Sequence, residues 1–367
     1  MSMKIKDIIN VLENFAPPPL QEAYDNAGLI TGNKEAACTG ILCALDTTEA
    51  VVEEAVKNNC NVVVAHHPVV FRGLKSITGR NYVERTIIKA IKNDIAIYAI
   101  HTNLDNIPAG VNGKMADLLG LVDRRVLLPK KDTLKKLFTY VPRDHAEQVR
   151  KAIWAAGAGH IGNYSECSFN TSGQGTFRGG EETDPFVGRR GELHTEEEIK
   201  LEIIFPYWLQ QQVINALTGA HPYEEPAYDI VALDNAFDRV GSGLTGILPH
   251  AVDEKTFLAQ LKSVFKLSVI RHTAFTGRAV KTVSLCGGAG SFLIPNALGE
   301  RSDIFITADM KYHEFFDAEG RMVIADIGHY ESEQFTIDLI YDILREKFPT
   351  FAVLKTAVNT NPVFYYA

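Results

Sequence analysis

Imidazoles and carboxylates at the ends of apolar runs are the residues of this 367-residue chain best placed to do chemistry. His66 and His67 stand side by side, closed by Pro68, directly after Val62-Val63-Val64-Ala65. Neighbouring side chains on a regular strand point to opposite faces, so both rings can face one site only where the strand has ended. Pro68 favours that ending, because it restricts His67 to extended backbone and interrupts the strand ladder. The pattern recurs. Tyr98-Ala99-Ile100 runs into His101, with Asp105 four residues later, and Met322–Ile327 runs into Gly328-His329, with Glu333 four residues later. On a helical turn a spacing of four puts two side chains on one face. His329 and Glu333 so placed can share one divalent ion at about 2.0–2.2 Å. His66, His67 and Asp105 complete a set of five nitrogen and oxygen ligands. Five is too many for a single catalytic zinc that keeps an open position. The set suits two ions roughly 3.5–4 Å apart, bridged by a water and by Asp105 or Glu333. Such ions lower the pKa of bound water and supply a hydroxide nucleophile. With no thiolate in the set, zinc, manganese and iron all fit.

Other polar groups lie close to these ends. His101 can orient a ligand through a hydrogen bond or move a proton, and is the candidate catalytic residue. Asp46, Asp309 and His313 can do likewise, or can cap helices. For Asp46 the run Asp46-Thr47-Thr48-Glu49 reads as a capping box. Asp25 and Asn26, in Ala23–Gly32, read first as turn residues that bond their own backbone. Lys75, Thr78 and Arg80 fall in a polar stretch that reads as a solvated loop. Cys286–Phe292 (CGGAGSF) lacks the Lys-Ser/Thr of a P-loop and reads as a tight strand-to-helix turn.

Strands alternating with helices must position these groups. A helix over Lys4–Phe15 is stopped by Pro17-Pro18-Pro19. From Ile41 to Val122, strand and helix alternate, which implies parallel strands with crossover helices. Ligands bind at the C-terminal ends of such strands, so the histidines belong on one rim of a sheet. After Lys131 the pattern changes to β-α-β-β-α-β, with hairpin strands expected at Tyr164–Asn170 and Gly175–Gly179 around Thr171-Ser172-Gly173. That order is ferredoxin-like. The first pattern resumes after Asn235, with a helix expected from Tyr312 and another over Glu331–Lys347. The expected architecture is therefore a discontinuous α/β domain, 1–130 with 236–367, interrupted by an α+β insert, 131–235.

The bulk numbers narrow the class. Hydrophobic residues make up 46% of the chain, enough for a sizeable core. A net charge of −8 argues against a broad nucleic-acid surface. No apolar stretch reaches membrane-spanning length, and the amphipathic N-terminus lacks a secretory h-region, so a cytoplasmic protein is expected. The five cysteines show no CxxC spacing and read as free thiols.

Taken together, VAHHP, HTNLD, TADMKYHE and GHYESE, with DNAGL and GGAGSF, resemble the NIF-three-like family, whose members often carry the name GTP cyclohydrolase I type 2 homologue. The resemblance covers Met1–Pro129 and about Phe237–Ala367. It implies an α/β fold, a ring-shaped homohexamer and two divalent metals held by His66, His67, Asp105, His329 and Glu333. The insert, with HPYEEPAYD at His221–Asp229, resembles the PII- or CutA-like domain of some members. Two functions follow as expectations. The first is a metal-dependent hydrolase acting on a nucleotide or related small molecule. The alternative is a metal-bound regulatory or scaffold protein that senses a small ligand through the insert.

Overall fold

Ile41–Ala44, Val62–Ala65 and Ala96–Ala99 are apolar at every position because both faces of their sheet are covered. In the computed structural model, which describes residues 3–366, alternate residues go to opposite sides. Ile41, Cys43, Val62, Val64, Ala96 and Tyr98 pack under the helices Ile5–Phe15 and Thr336–Lys347. Leu42, Ala44, Val63 and Ile97 pack under the helices Glu49–Lys57 and Tyr82–Lys92. A slip of one residue would exchange the two sets, so the register is fixed by burial on both sides. The sheet runs Gly28–Thr31, Ala96–Ala99, Val62–Ala65, Ile41–Ala44, Val353–Lys355. Its pairs are parallel except the first, which is antiparallel. The edge strand Gly28–Thr31 lies where only a loop was expected. Pairing with Ala96–Ala99 overrides the turn residues around it.

A second sheet follows the order Arg271–His272, Val323–Asp326, Ile304–Ala308, Val280–Ala289, Phe237–Val252, Val122–Lys130. Its three middle strands from Val323–Asp326 to Val280–Ala289 are parallel. Val283, Leu285, Ile304, Ile306 and Val323 pack with Phe257 and Leu261 of the helix Glu254–Val264, and Phe305 and Ile324 fill the other side. The expectation of one sheet rim is thus corrected. Alternating strands and helices divide between two sheets, because local pattern does not say which strands pair. Two helical expectations also change. Tyr312–Ala318 is a 3-10 helix, and the segment after Gly328 is two helices, His329–Glu333 and Thr336–Lys347.

By internal packing the chain divides into two units, Met1–Pro129 with Arg239–Ala367, and Lys130–Asp238. The second unit has four antiparallel strands in the order Phe169–Arg178, Leu193–Pro206, Leu134–Pro142, Tyr228–Leu233. With the helices Ala146–Ala155 and Gln210–Ala220 this is a ferredoxin-like fold. Leu137, Val149, Ile153, Leu201, Phe205 and Leu217 form its core. The hairpin expected around Thr171-Ser172-Gly173 is absent. Those residues lie inside one strand, paired continuously from Phe169↔Glu202 to Arg178↔Leu193. All five cysteines are free. Among the described residues no helix is long and apolar enough to cross a membrane.

Candidate metal centre

The parallel strands of both sheets end at one place. Val62–Ala65 delivers His66 and His67, whose amides still bond Ala44 O and Leu45 O at 3.2 and 2.9 Å. Their ring centroids lie 4.8 Å apart, so both imidazoles face the same space. Ala96–Ala99 leads to His101 and the single turn Thr102–Asp105. From the second sheet, Ile304–Ala308 ends at Asp309, and Val323–Asp326 leads through Gly328 (φ 91°) to the helix His329–Glu333.

Each imidazole has its Nδ1 fastened to oxygen. His66 Nδ1 meets Ile100 O at 2.8 Å, His67 Nδ1 meets Asp46 at 2.7 Å, His101 Nδ1 meets Asp25 at 2.7 Å and His329 Nδ1 meets Asp309 at 2.8 Å. Tethering one ring nitrogen fixes the ring and turns the other nitrogen to the site, the arrangement that metal-binding histidines adopt.

Glu333, 3% exposed, stands between two groups. Its Oε2 lies 3.0 Å from His67 Nε2 and 3.1 Å from His329 Nε2. Its Oε1 lies 4.0 Å from His66 Nε2, which is 3.6 Å from Asp105 Oδ1. Ligand bonds of about 2.0–2.2 Å put neighbouring donors roughly 3–3.5 Å apart, a spacing that His67, His329 and Glu333 have and that His66, Asp105 and Glu333 exceed by a few tenths of an ångström. In each trio, His67–His329–Glu333 and His66–Asp105–Glu333, the ligand atoms lie within 4.8 Å of one another. His66, His67 and His101 form a third such group.

The protonation pattern tests the fit. Burial pushes the His66 pKa down to about 3, so the ring is neutral. Its Nδ1 bonds a carbonyl, which only accepts, so the single ring proton sits there and Nε2 presents a bare lone pair. That Nε2 and Asp105 Oδ1 are buried without a hydrogen-bond partner. These two atoms and Glu333 Oε1 face one another, and a cation bound among them would satisfy all three and displace any proton that Asp105 holds. Around Glu333 the balance differs. Burial alone would raise its pKa, but the bonds to His329 and His67 outweigh that and hold it ionised. Burial and then Glu333 raise the Asp105 pKa well above the carboxylate range. Burial would lower His67 and His329, but the bonds to Asp46, Asp309 and Glu333 raise them to about 10 and about 11.

The glycines of the CGGAGSF run make room for this arrangement. A Cβ on Gly288 (φ +61°) would lie 2.5 Å from Glu333 Oε1. Gly287 N donates to Asn112 Oδ1, and Asn112 Nδ2 donates to Asp105 O, each at 3.0 Å. The run is therefore strand backbone laid against a buried carboxylate, rather than only a turn into a helix. Three further readings are revised. Asp46 does not cap its helix. Thr48 does, accepting from Val51 N at 3.4 Å, which leaves Asp46 to His67 and to Thr360 Oγ1, 2.6 Å away. Asp25 keeps its turn contact with Asn26 N but also accepts from His101 and Thr102. His313 stacks on Phe316 and belongs to none of the candidate ligand groups. Sequence reading missed Asn112 and Thr360 entirely, and no local signal marks either. A cleft of about 370 Å³ opens beside His329, Asp46 and Asp309, with Arg271, Tyr330 and Tyr365 on its walls.

The fold and the cluster define a class, an α/β protein of two mostly parallel sheets with candidate metal-binding groups at the strand ends. A family model described as Duf34/NIF3 (NGG1p interacting factor 3) matches residues 3–362, and the chain belongs to that family. A GTP cyclohydrolase 1 type 2 homolog of Halalkalibacterium halodurans is 38% identical over 361 residues, covering 97% of each chain. The protein of that name in Bacillus subtilis is 38% identical over 331 residues, covering 90% of this chain and 89% of its own. Among solved structures, a Bacillus cereus protein related to NIF3 superposes with a TM-score of 0.86 at 36% identity, covering 100% of both chains. A Staphylococcus aureus protein superposes at 0.78 and 27% identity, covering 100% of this chain and 99% of its own.

Proposed function

We propose that this chain is a hydrolase that works with two divalent metal ions on a nucleotide or related small molecule. One observation carries the reading. His66 Nε2, Asp105 Oδ1 and Glu333 Oε1 face each other in a buried pocket, and two of them have no hydrogen-bond partner. In this reading His66, Asp105 and Glu333 would hold one ion and His67, His329 and Glu333 the other. Zinc, manganese and iron all suit these donors. Bound there, divalent ions polarise the bond to be cleaved and lower the pKa of water. The protein's own residues do the rest. Asp46 and Asp309 keep two rings aimed at the site, and His101, tethered at Nδ1 to Asp25, is the group that would take up or hand on a proton at Nε2. The cleft beside His329 is of small-molecule size. The nucleotide is drawn from the name of the relatives. A homohexamer in the cytoplasm completes the proposal.

The test is elemental analysis of the purified full-length protein, followed by turnover against a nucleotide panel headed by GTP. About two ions per chain are expected, with turnover lost in His66→Ala and His329→Ala. Metal-loaded protein that turns over no nucleotide would move the reading to a regulatory role, and protein that takes up no metal would end it.

A further inference from the structure

A second cavity is lined by none of the residues of the metal cluster. It lies in the ferredoxin-like unit, with a volume of about 600 Å³. Its floor is the sheet face turned away from the two helices. On the central strand Leu193–Pro206, Ile199, Leu201 and Ile203 go to the helix side, so Glu198 and Lys200 go to the other. Gly173 and Gly175 pair opposite Glu198 and Glu196 and leave their own part of the floor bare. A Cβ on Gly173 would meet nothing within 4 Å, whereas one on Gly175 would strike the Glu198 carboxylate. Phe177, Phe186 and Tyr223 supply the walls, with Tyr223 5.9 Å from Phe177 and 6.3 Å from Phe186 between ring centroids.

Glu198 is the unusual member. It is 8% exposed, yet among the described residues the only hydrogen bond to its carboxylate comes from Tyr223 Oη, 3.0 Å from Oε1. Its neighbour Lys200 is engaged elsewhere, bonded to Glu202 at 3.0 Å and lying over the Phe138 ring. Arg178 donates to Gly191 O. A buried carboxylate is unfavourable unless a cation or enough donors meet it. Here one oxygen is left for whatever enters the cavity. Aromatic faces beside a carboxylate are the recognition chemistry of an organic cation, which gains from both the ring quadrupoles and the charge.

We propose that this cavity is a binding site for a small organic ammonium compound, its charged nitrogen on Glu198 and its apolar body against Phe177, Phe186 and Tyr223. The site is separate from the metal cluster in sequence and in chemistry, and does not depend on the hydrolase reading. The volume lies within the roughly 300–1,000 Å³ of small-molecule sites.

The experiment titrates full-length protein with 2-phenylethylammonium, and with 3-phenylpropanol and 3-phenylpropanoate as neutral and anionic counterparts, by calorimetry and saturation-transfer NMR. Binding of the ammonium alone is expected, weakened about tenfold or more in Glu198→Gln. Gly173→Val, whose Cβ has open space around it, is expected to fill the floor and abolish binding while the melting temperature and metal content stay unchanged. Equal binding of all three probes, no ammonium binding at millimolar concentration, or full binding by both variants would each overturn the proposal. So would a Gly173→Val protein of altered oligomeric mass whose parent binds no ammonium, which would assign the face to a contact between copies of the chain.

Discussion

Thr360 lies 314 positions from Asp46, yet its hydroxyl donates to the carboxylate that steadies His67. Thr360→Val keeps the shape and removes that donor. Metal affinity at the proposed site should fall about 10–100-fold, the usual effect of loosening a ligand's support. A competitive chelator titration measures it, and unchanged affinity would show that Asp46 needs no help. Gly288→Ala is a harsher change, since the added Cβ meets Glu333 Oε1 on a backbone with positive φ. Left-handed backbone alone costs about 1–2 kcal/mol. Displacement of Glu333 should also remove both ions together, which metal analysis of the folded variant reads directly. At this scale the sequence was only partly legible. The histidines and their i, i+4 acids stand out because they interrupt apolar runs. Asp25, Asp46 and Asn112 do not, because a residue that supports a ligand has the same local signature as a cap or a turn.

Among the elements, the helix Tyr82–Lys92 shows how a loop is held. Asn81 caps it, accepting from Glu84 N at 2.9 Å, and Glu84 in turn accepts from Thr78 N and Arg80 N at 2.9 and 3.0 Å. The Arg80 and Thr78 amides draw the Glu84 pKa from 4.5 down to about 2. A carboxylate whose pKa is lower in the folded state stabilises it above the unfolded pKa, and that contribution fades as pH falls toward the folded value. The loop Thr78–Arg80 should therefore be protected at pH 5 and open progressively below about pH 4.5. Hydrogen exchange at the Thr78 and Arg80 amides follows this. Glu84→Gln should show the open behaviour at every pH, and protection that is flat with pH would refute the account. Thr78 and Arg80 read from sequence, with Lys75, as a solvated loop, because an acid six positions beyond Thr78 gives no sign of turning back to bind it.

For the whole molecule, the pairing of strands decides where the site lies. Alternating strand and helix, and the change of pattern after Lys131, are local signals and could be read directly. The division into two sheets is set by contacts far apart in sequence, and so is the meeting of their C-terminal ends. That meeting gives the proposed ions a structural consequence. His66, His67 and Asp105 come from one sheet, and His329 and Glu333 from the other, so an ion shared by Glu333 and His66 or His67 ties the sheets together. A ligand that binds only the folded state stabilises it by about 2.7 kcal/mol at a hundredfold excess over its dissociation constant. Adding zinc or manganese to chelator-treated protein should raise the melting temperature. The gain should vanish in Glu333→Gln, which spoils both trios, and persist in part in His329→Ala, which leaves His66, Asp105 and Glu333. The same thermal gain in Glu333→Gln would mean that the ions bind elsewhere, and that the two sheets are held by packing alone.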